Sequence, residues 1–238
     1  MLIIALDTSG ALCSVTIIAN GLILSEKKTG MNRGHANKIM PMVQSALIEA
    51  DIPLCDFEYV VTSTGPGSFT GLRIGMAAAK GLAISNDIPL IGISCFDAVA
   101  ERTNPKASFL SYGILVIALN SKREQLYVEC RAMDHTKLIP GTVIGSDIFY
   151  NKIKTIIDKD TKIRLVGDGA NQLFDQLPDD LQNNFLPVEE KDIGPVAASD
   201  LAYYAVKIID IAGTVSQKYT PGLALNYFRS PDIGLAKK

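Results

Sequence analysis

The sequence has no tryptophan, only two histidines and only four cysteines among its 238 residues. The two histidines, His35 and His135, lie far apart in the sequence, which argues against a multi-histidine metal site. The cysteines include no Cys-x-x-Cys pair, which favours reduced thiols in a cytoplasmic protein over disulfides or a zinc site. No apolar run approaches the length of a membrane span, and the N-terminus lacks a basic leader with a cleavage site. We therefore expect a cytoplasmic protein with no membrane contact and no bound metal.

Charged residues are also scarce, since they make up 20% of the chain and give a net charge of −2. We take Lys122-Arg123 as the only dense basic cluster. Such a chain lacks the electrostatic footprint of an independent nucleic-acid binder, so any contact with RNA is expected through a partner. The hydrophobic fraction of 47% is typical of a globular protein with a sizeable core.

The first hundred residues alternate between strand and helix signals. The predicted elements are strands at 2–6, 13–18 and 22–26, a helix ending near 50, a strand ending at 63, a helix at 72–85, a strand at 89–93 and a helix at 95–102. Asn20-Gly21 predicts a tight hairpin between the second and third strands. A three-stranded meander followed by alternating helices and strands is typical of one lobe of the ribonuclease H-like, actin-like ATPase fold.

The second half of the chain repeats this pattern in a shorter form. The predicted elements are strands at 114–119 and 125–131, a helix at 147–157, a strand at 162–166 and a helix that starts at Pro195. We therefore predict an α/β protein with a first lobe at 1–104, a smaller second lobe at 105–213 and a tail at 214–238. Helix 194–212 could pack back on the first lobe.

The most informative stretch is the glycine-rich turn and helix start, GPGSFTGLRIG, at residues 65–75. A turn of this kind exposes backbone amides at the positive end of a helix, an arrangement that binds phosphate, and Thr70 or Ser68 is suited to cap the helix. Gly71, Gly75 and Ala79 lie four residues apart, so another helix could approach this bare face. The same glycines also fit a simpler alternative, a tight turn and a helix packed closely on its own sheet.

Two cations, Arg73 and Lys80, lie seven residues apart on one stripe of the same helix. They fit the rim of an interface, and they equally fit two solvated charges on an exposed helix face.

Three segments of the chain resemble the TsaB (YeaZ) family, the partner subunit in threonylcarbamoyladenosine synthesis on transfer RNA. They are IIALDTSGALCSV, GHANKIMPMVQSAL and GPGSFTGLRIGMAAAKGLA, and they follow the family's order over roughly the first hundred residues. The segments 122–127 and 227–229 match the family less closely. The resemblance implies the two-lobed actin-like ATPase (ASKHA) fold.

The family resemblance further implies a non-catalytic subunit that pairs with a TsaD-like transferase through two helices of the first lobe. A TsaE-like ATPase is the other implied partner, the isolated chain is expected to form a homodimer, and tRNA is expected to be reached only through the complex. The product would be N6-threonylcarbamoyladenosine at position 37 of tRNAs that read codons beginning with A. The residues predicted to form the partner interface are His35, Ile39, Met42, Val43, Gly71, Arg73, Gly75, Met76, Ala79 and Lys80.

In the actin-like ATPase fold, the turn after the first strand faces nucleotide phosphates. The residues predicted for that side are Asp7, Thr8, Ser9, Gly65, Gly67 and Ser68. Asp7 equally fits a turn cap after the strand. Asn120 stands where a second carboxylate would hold the metal, and an amide is a poor replacement for it. We expect no cofactor on the chain alone, with ATP or ADP at most shared at the partner interface.

The catalytic TsaD-like relatives carry a His-x-x-x-His pair after the strand that corresponds to 89–93. This chain has Cys95 and Val99 at those positions, and valine cannot ligate a metal. A catalytic pair of Cys95 with His35 remains an alternative, although His35 also fits a helix cap or the partner surface. Two other functions stay open beside the partner subunit, a standalone M22-type metallopeptidase and a small-molecule kinase of the same fold.

Overall fold

The computed structural model describes residues 1–31, 33–102, 112–212 and 224–228. The strands are β1 (Leu2–Asp7), β2 (Leu12–Ala19), β3 (Leu22–Gly30), β4 (Tyr59–Gly65), β5 (Leu90–Ser94), β6 (Ile114–Asn120), β7 (Leu126–Ala132), β8 (Lys137–Ile144) and β9 (Ile163–Val166). The α-helices are α1 (His35–Ala50), α2 (Phe69–Ser85), α3 (Cys95–Glu101), α4 (Ser146–Ile153), α5 (Ala170–Asp175), α6 (Asp179–Gln182) and α7 (Ala198–Ala212). No described helix is both long and apolar enough to cross a membrane.

The first sheet has five strands in the order β3-β2-β1-β4-β5. The meander β1 to β3 is antiparallel, whereas β4 runs parallel to both β1 and β5. The helices α1 and α2 cover one face of this sheet, where the apolar side chains of β1, β2 and β4 form a buried core with them. This strand order and these directions confirm the predicted actin-like ATPase lobe.

The second sheet has four strands in the order β8-β7-β6-β9, with β9 parallel to β6. It repeats the first four positions of the first sheet, so the prediction of a shortened second lobe is confirmed for the residues that the structure describes. The edge strand β8 was not predicted, because Pro140-Gly141 in its middle is a turn signal. An edge position tolerates proline since one side of the strand needs no ladder hydrogen bonds.

The last described helix, α7, packs on the first sheet and on α3. Its residues Leu201 and Ala205 share a buried core with Ile3 of β1 and with Ile117 of the second sheet. Two polar contacts fix its start: the Ala198 amide donates to Ser14 Oγ over 2.9 Å, and the Arg102 guanidinium pairs with Asp200. The two lobes therefore share one continuous core.

The predicted lobe boundary at 104 lies outside the described residues, and so does most of the predicted tail. The described part of that tail, 224–228, packs on the body of the protein. The Asn226 amide donates to the Thr64 carbonyl at the end of β4 over 2.8 Å. The Phe228 ring contacts Phe96 of the first lobe and Tyr127 of the second, with centroid distances of 5.8 and 6.3 Å. These contacts tie the segment to both lobes.

Candidate functional site

The turn after β1 packs directly against the glycine-rich turn before α2. The Thr8 hydroxyl donates to the Gly71 carbonyl over 2.7 Å, and the Ser68 amide donates to the Ser9 carbonyl over 2.7 Å. Ser68 caps α2, since its Oγ accepts a hydrogen bond from the Gly71 amide over 3.2 Å. The sequence thus brings these predicted phosphate-side residues together. These hydrogen bonds tie the turn after β1 to the start of α2.

The glycines of this region are required by that close approach. A Cβ atom on Gly67 would lie 2.5 Å from the Ser9 carbonyl oxygen, and one on Gly75 would lie 2.6 Å from Thr8 Oγ1. A Cβ on Gly71 would collide with the Thr8 carbonyl oxygen. Gly65 has a φ of 109° and lies against the Asn226 carbonyl. Of the two interpretations of the motif, the structure supports tight packing of α2 on its own sheet.

Seven of the ten residues predicted to form the partner interface are buried. Those buried inside the first lobe are His35, Ile39, Val43, Gly71, Gly75, Met76 and Ala79. The physical reason is that the stripe of α1 spaced by four and the glycine stripe of α2 both face the first sheet. Arg73 is exposed, whereas Met42 and Lys80 are half-buried.

The opposite sides of the same two helices carry apolar side chains into solvent. Met40 and Ile48 of α1 are 39% and 80% exposed, and Ile84 of α2 is 68% exposed. Ala77 and Gly81 of α2 are also exposed, and nothing lies within 4 Å of a Cβ built on Gly81. The helices α1 and α2 contact each other, so these five residues belong to one side of the molecule. We refer to them as the outer face.

Arg73 lies at the end of α2 nearest the glycine turn and is held by aromatic rings. Its guanidinium carbon is 3.8 Å from the centroid of the Phe69 ring, and its Nε donates to the Tyr227 hydroxyl over 3.1 Å. The Phe69 and Tyr227 rings are 4.8 Å apart. The predicted interface cation is thus positioned by the C-terminal segment of its own chain, which the spacing of the sequence could not indicate.

Asp7 is fully buried at the end of β1. Its Oδ1 accepts hydrogen bonds from Ser63 Oγ over 2.6 Å and from the Ser9 amide over 3.2 Å. Its Oδ2 has no hydrogen-bond partner among the residues that the structure describes. Burial raises the pKa of this carboxyl to about 6, although the hydrogen bonds from the two serines oppose the shift. The carboxyl therefore carries its charge at neutral pH at a cost to the folded state.

The alternative of a catalytic pair between Cys95 and His35 finds no support in the geometry. The buried Cys95 thiol donates to Ser9 Oγ over 3.6 Å, and burial raises its pKa above that of a free thiol. His35 is buried at the first position of α1, where desolvation lowers its pKa. The residue that caps α1 is Gly34, so the predicted capping role of His35 is wrong.

The carboxylate of Asp168 was not predicted as a site residue. It follows β9 in the turn Gly167-Asp168-Gly169, and its Oδ1 accepts a hydrogen bond from the Asn120 amide over 2.8 Å. Burial raises its pKa. The glycines beside it, with φ at 101° for Gly167, are the sequence signal that marks this turn. No three side chains of His, Cys, Asp or Glu among the described residues are grouped to hold a metal ion.

Comparison with protein families and curated proteins identifies relatives over most of the chain. Residues 23–157 match the family model described as TsaD: tRNA N6-adenosine threonylcarbamoyltransferase. A Buchnera aphidicola (subsp. Schizaphis graminum) protein named tRNA threonylcarbamoyladenosine biosynthesis protein TsaB is 34% identical over 204 residues, which cover 84% of this chain and 90% of that protein. The Escherichia coli (strain K12) protein of the same name is 38% identical over 101 residues, 42% of this chain and 43% of that protein.

Solved structures share the architecture. YeaZ from Pseudomonas aeruginosa superposes with a TM-score of 0.70 at 21% identity, over 92% of this chain and 98% of that one. An activator of 2-hydroxyisocaproyl-CoA dehydratase from Clostridium difficile, solved with bound ADPNP, superposes with a TM-score of 0.50 at 10% identity, over 90% and 97% of the two chains. At such low identity these two structures show the fold alone. The Buchnera aphidicola relative and the family model carry the conclusion that the chain belongs to the TsaB (YeaZ) family.

Proposed function

We propose that the chain is a non-catalytic subunit of a cytoplasmic complex that forms N6-threonylcarbamoyladenosine at position 37 of tRNAs reading codons that begin with A. In this complex it pairs with a TsaD-like transferase and activates it. The outer face carries the proposal, because it places Ile48 and Ile84 in solvent beside the small residues Ala77 and Gly81. Small residues let a partner helix approach closely, and exposed aliphatic side chains gain from being covered.

The non-catalytic role is supported by the state of the nucleophile and base candidates. Cys95 is buried as a thiol with a raised pKa, and its hydroxyl neighbour Ser9 is itself buried. His35 is buried with a lowered pKa, and His135 lies in an exposed turn. Asn120 stands at the end of β6 in place of a carboxylate that would hold a metal. The transfer chemistry is therefore assigned to the partner.

The same outer face serves the isolated chain as a homodimer contact, so that self-association and pairing with the transferase exclude each other. A TsaE-like ATPase joins the complex as a further subunit. The hydrogen bonds that close the turns at Ser9 and Ser68 support a chain that binds no nucleotide alone. ATP or ADP enters only where the transferase completes a site.

The proposal is tested by three preparations: the chain alone, the TsaD-like protein of the same organism alone, and the two co-expressed. We expect the co-expressed proteins to co-purify with the mass of a hetero-complex, and tRNA modification by the remaining pathway enzymes to need both. The chain alone should hydrolyse neither peptides nor ATP. Failure to pair would overturn the partner role, while metal-dependent peptide hydrolysis or ATP turnover by the chain alone would restore the peptidase or the kinase.

A further inference from the structure

A groove of about 410 Å³ runs between the edge strand β3 and the first half of α1. Three lysines line it, Lys27 and Lys28 from the strand and Lys38 from the helix. The hydroxyl residues Thr29 and Ser45 also line it, and Glu26 is its single acidic lining residue. Lys122-Arg123 is therefore not the only dense basic cluster, because Lys27 and Lys28 are adjacent in the sequence and the fold brings Lys38 beside them.

The ion pairs of these lysines leave positive charge available. Lys27 pairs with Glu49, and Lys28 pairs with Glu26 over 3.1 Å. The Lys28 side chain is 58% exposed, and a pair in that setting is weak enough to be exchanged for another anion. Lys38 is exposed as well. The groove is thus positive in a chain whose net charge is −2.

The lining of the groove indicates which anion it fits. Ammonium and hydroxyl groups are the side chains that contact phosphate oxygens of a nucleic-acid backbone. Among the described residues, the lining includes no aromatic ring on which a base could stack, so the groove is suited to a repeated phosphate backbone and not to a nucleobase. We propose that this groove binds the sugar-phosphate backbone of tRNA, a proposal that rests on the function proposed above.

The position of the groove agrees with that role. Pro41 and Ser45 of α1 line it, and the outer-face residue Ile48 lies seven and three residues further along the same side of the helix. An RNA strand in the groove would therefore lie next to the subunit that pairs with the outer face. Because the net charge of the chain is negative, these local cations would determine the position of the RNA strand on its surface. They would also add to the tRNA affinity that the partner provides.

The test uses the co-purified complex and an unmodified tRNA transcript whose anticodon reads a codon beginning with A. The variant Lys28→Gln/Lys38→Gln removes two charges and leaves the Lys27 pair with Glu49 intact. Its matched control is Lys152→Gln/Lys159→Gln, two exposed lysines of the second lobe. We expect the groove variant to bind tRNA about tenfold more weakly at low salt, with the slope of log affinity against log salt reduced by about two. The control should bind like wild type.

Each outcome separates this inference from the partner role. Equal binding by the two variants would overturn the tRNA groove while the complex itself stands. A groove variant that loses the transferase subunit in a mass measurement, and keeps its tRNA affinity, would assign the groove to a protein contact instead. If the wild-type chain does not pair at all, the partner role fails. The groove is then judged by crosslinking the transcript to the isolated chain, where crosslinks away from the peptides around Lys28 and Lys38 would overturn it.

Discussion

The two sides of α2 both carry small residues, but one side is buried and the other is exposed to solvent. On the inner side Gly71, Gly75 and Ala79 are buried, and a Cβ atom on either glycine would collide with Thr8. On the outer side Ala77 and Gly81 face solvent, and a side chain at Gly81 would meet open space. The comparison shows that small residues at every fourth position of a helix indicate a close approach by another part of a protein. The spacing does not tell which part approaches. In this chain the inner side meets its own sheet, and the outer side, which faces solvent, is the surface that we propose for a partner.

The largest effect is expected on the inner side, from Gly75→Leu. A Cβ at this position lies 2.6 Å from Thr8 Oγ1 and 3.4 Å from Thr62 Oγ1, so the added side chain forces α2 away from β1 and β4. We expect a loss of at least ~3 kcal/mol in the free energy of unfolding, measured by urea denaturation, because overpacking a rigid contact is strongly destabilising.

The control for this change is Gly81→Ala on the outer side. Nothing lies near the new methyl group, and alanine favours a helix over glycine by roughly 0.5–1 kcal/mol, so this variant should be slightly more stable than wild type. A Gly75→Leu protein as stable as wild type would show that α2 is not held against the turn as the structure has it.

Much of the fold could be predicted because local signals and global packing agree there. Asn20-Gly21 predicts the hairpin between β2 and β3, and the apolar stripe of α1 predicts a helix that ends at Ala50. The strand β8 was missed because Pro140-Gly141 resembles a turn, and only its edge position in the sheet makes it acceptable.

The site was harder to predict than the fold, and the reason is geometric. The prediction that another group approaches Gly71 and Gly75 closely is correct. The periodicity of the sequence could not show which group this is. It is Thr8, which follows β1 and is distant in sequence. The position of Arg73 depends on Tyr227, which is 154 residues away in sequence. Such contacts arise from tertiary structure, so a local sequence pattern cannot predict them.

The outer side is probed by Ala77→Arg/Gly81→Arg, which places two long charged side chains on the proposed contact surface. Both positions face solvent, so the monomer should keep its melting temperature within a few degrees. Pairing with the transferase subunit should weaken by at least about thirtyfold, the effect of losing about 2 kcal/mol at an interface hot spot. Sedimentation or biolayer measurements would report it.

The matched control for that variant is Asn151→Arg on α4, an exposed position in the second lobe. It should pair like wild type. If the α2 variant also pairs like wild type, the outer face is not the partner surface.

Asp7, the last residue of β1, carries a buried carboxyl just before the turn that packs against the inner side, and Asp7→Asn measures the cost of its charge. The pKa of Asp7 is raised to about 6 from 3.8, so the folded state prefers the protonated form. The contribution of the protonated Asp7 to the free energy of unfolding is fully present below pH 3.8, and it is lost as the pH rises through about 6. Asparagine keeps an acceptor for Ser63 and the Ser9 amide without the charge.

We therefore expect Asp7→Asn to be more stable than wild type by about 3 kcal/mol at pH 8, since the pKa is raised from 3.8 to about 6 and each pKa unit corresponds to about 1.4 kcal/mol. The advantage should shrink as the pH falls and vanish near pH 4. Thermal melting of both proteins across this pH range would show the convergence. An Asp7→Asn protein that is less stable than wild type at pH 8 would mean that the charged carboxylate is stabilised by a group in the folded state.

The smallest effect on stability is expected from Arg73→Glu/Lys80→Glu, at the border between the two sides. Lys80 is half-buried, and Arg73 is held over Phe69, a cation–π contact worth about 0.5–1 kcal/mol at an exposed site. The free energy of unfolding should fall by no more than that amount, whereas the rate of association with the transferase subunit should fall several-fold at low salt and recover at high salt. The single variant Lys80→Glu separates the two contributions, because it leaves the stack with Phe69 and Tyr227 untouched and should change only the rate. If the double variant associates at the wild-type rate at low salt, these cations do not border the contact. If Lys80→Glu alone lowers stability as much as the double variant does, the stack around Arg73 contributes nothing to the fold.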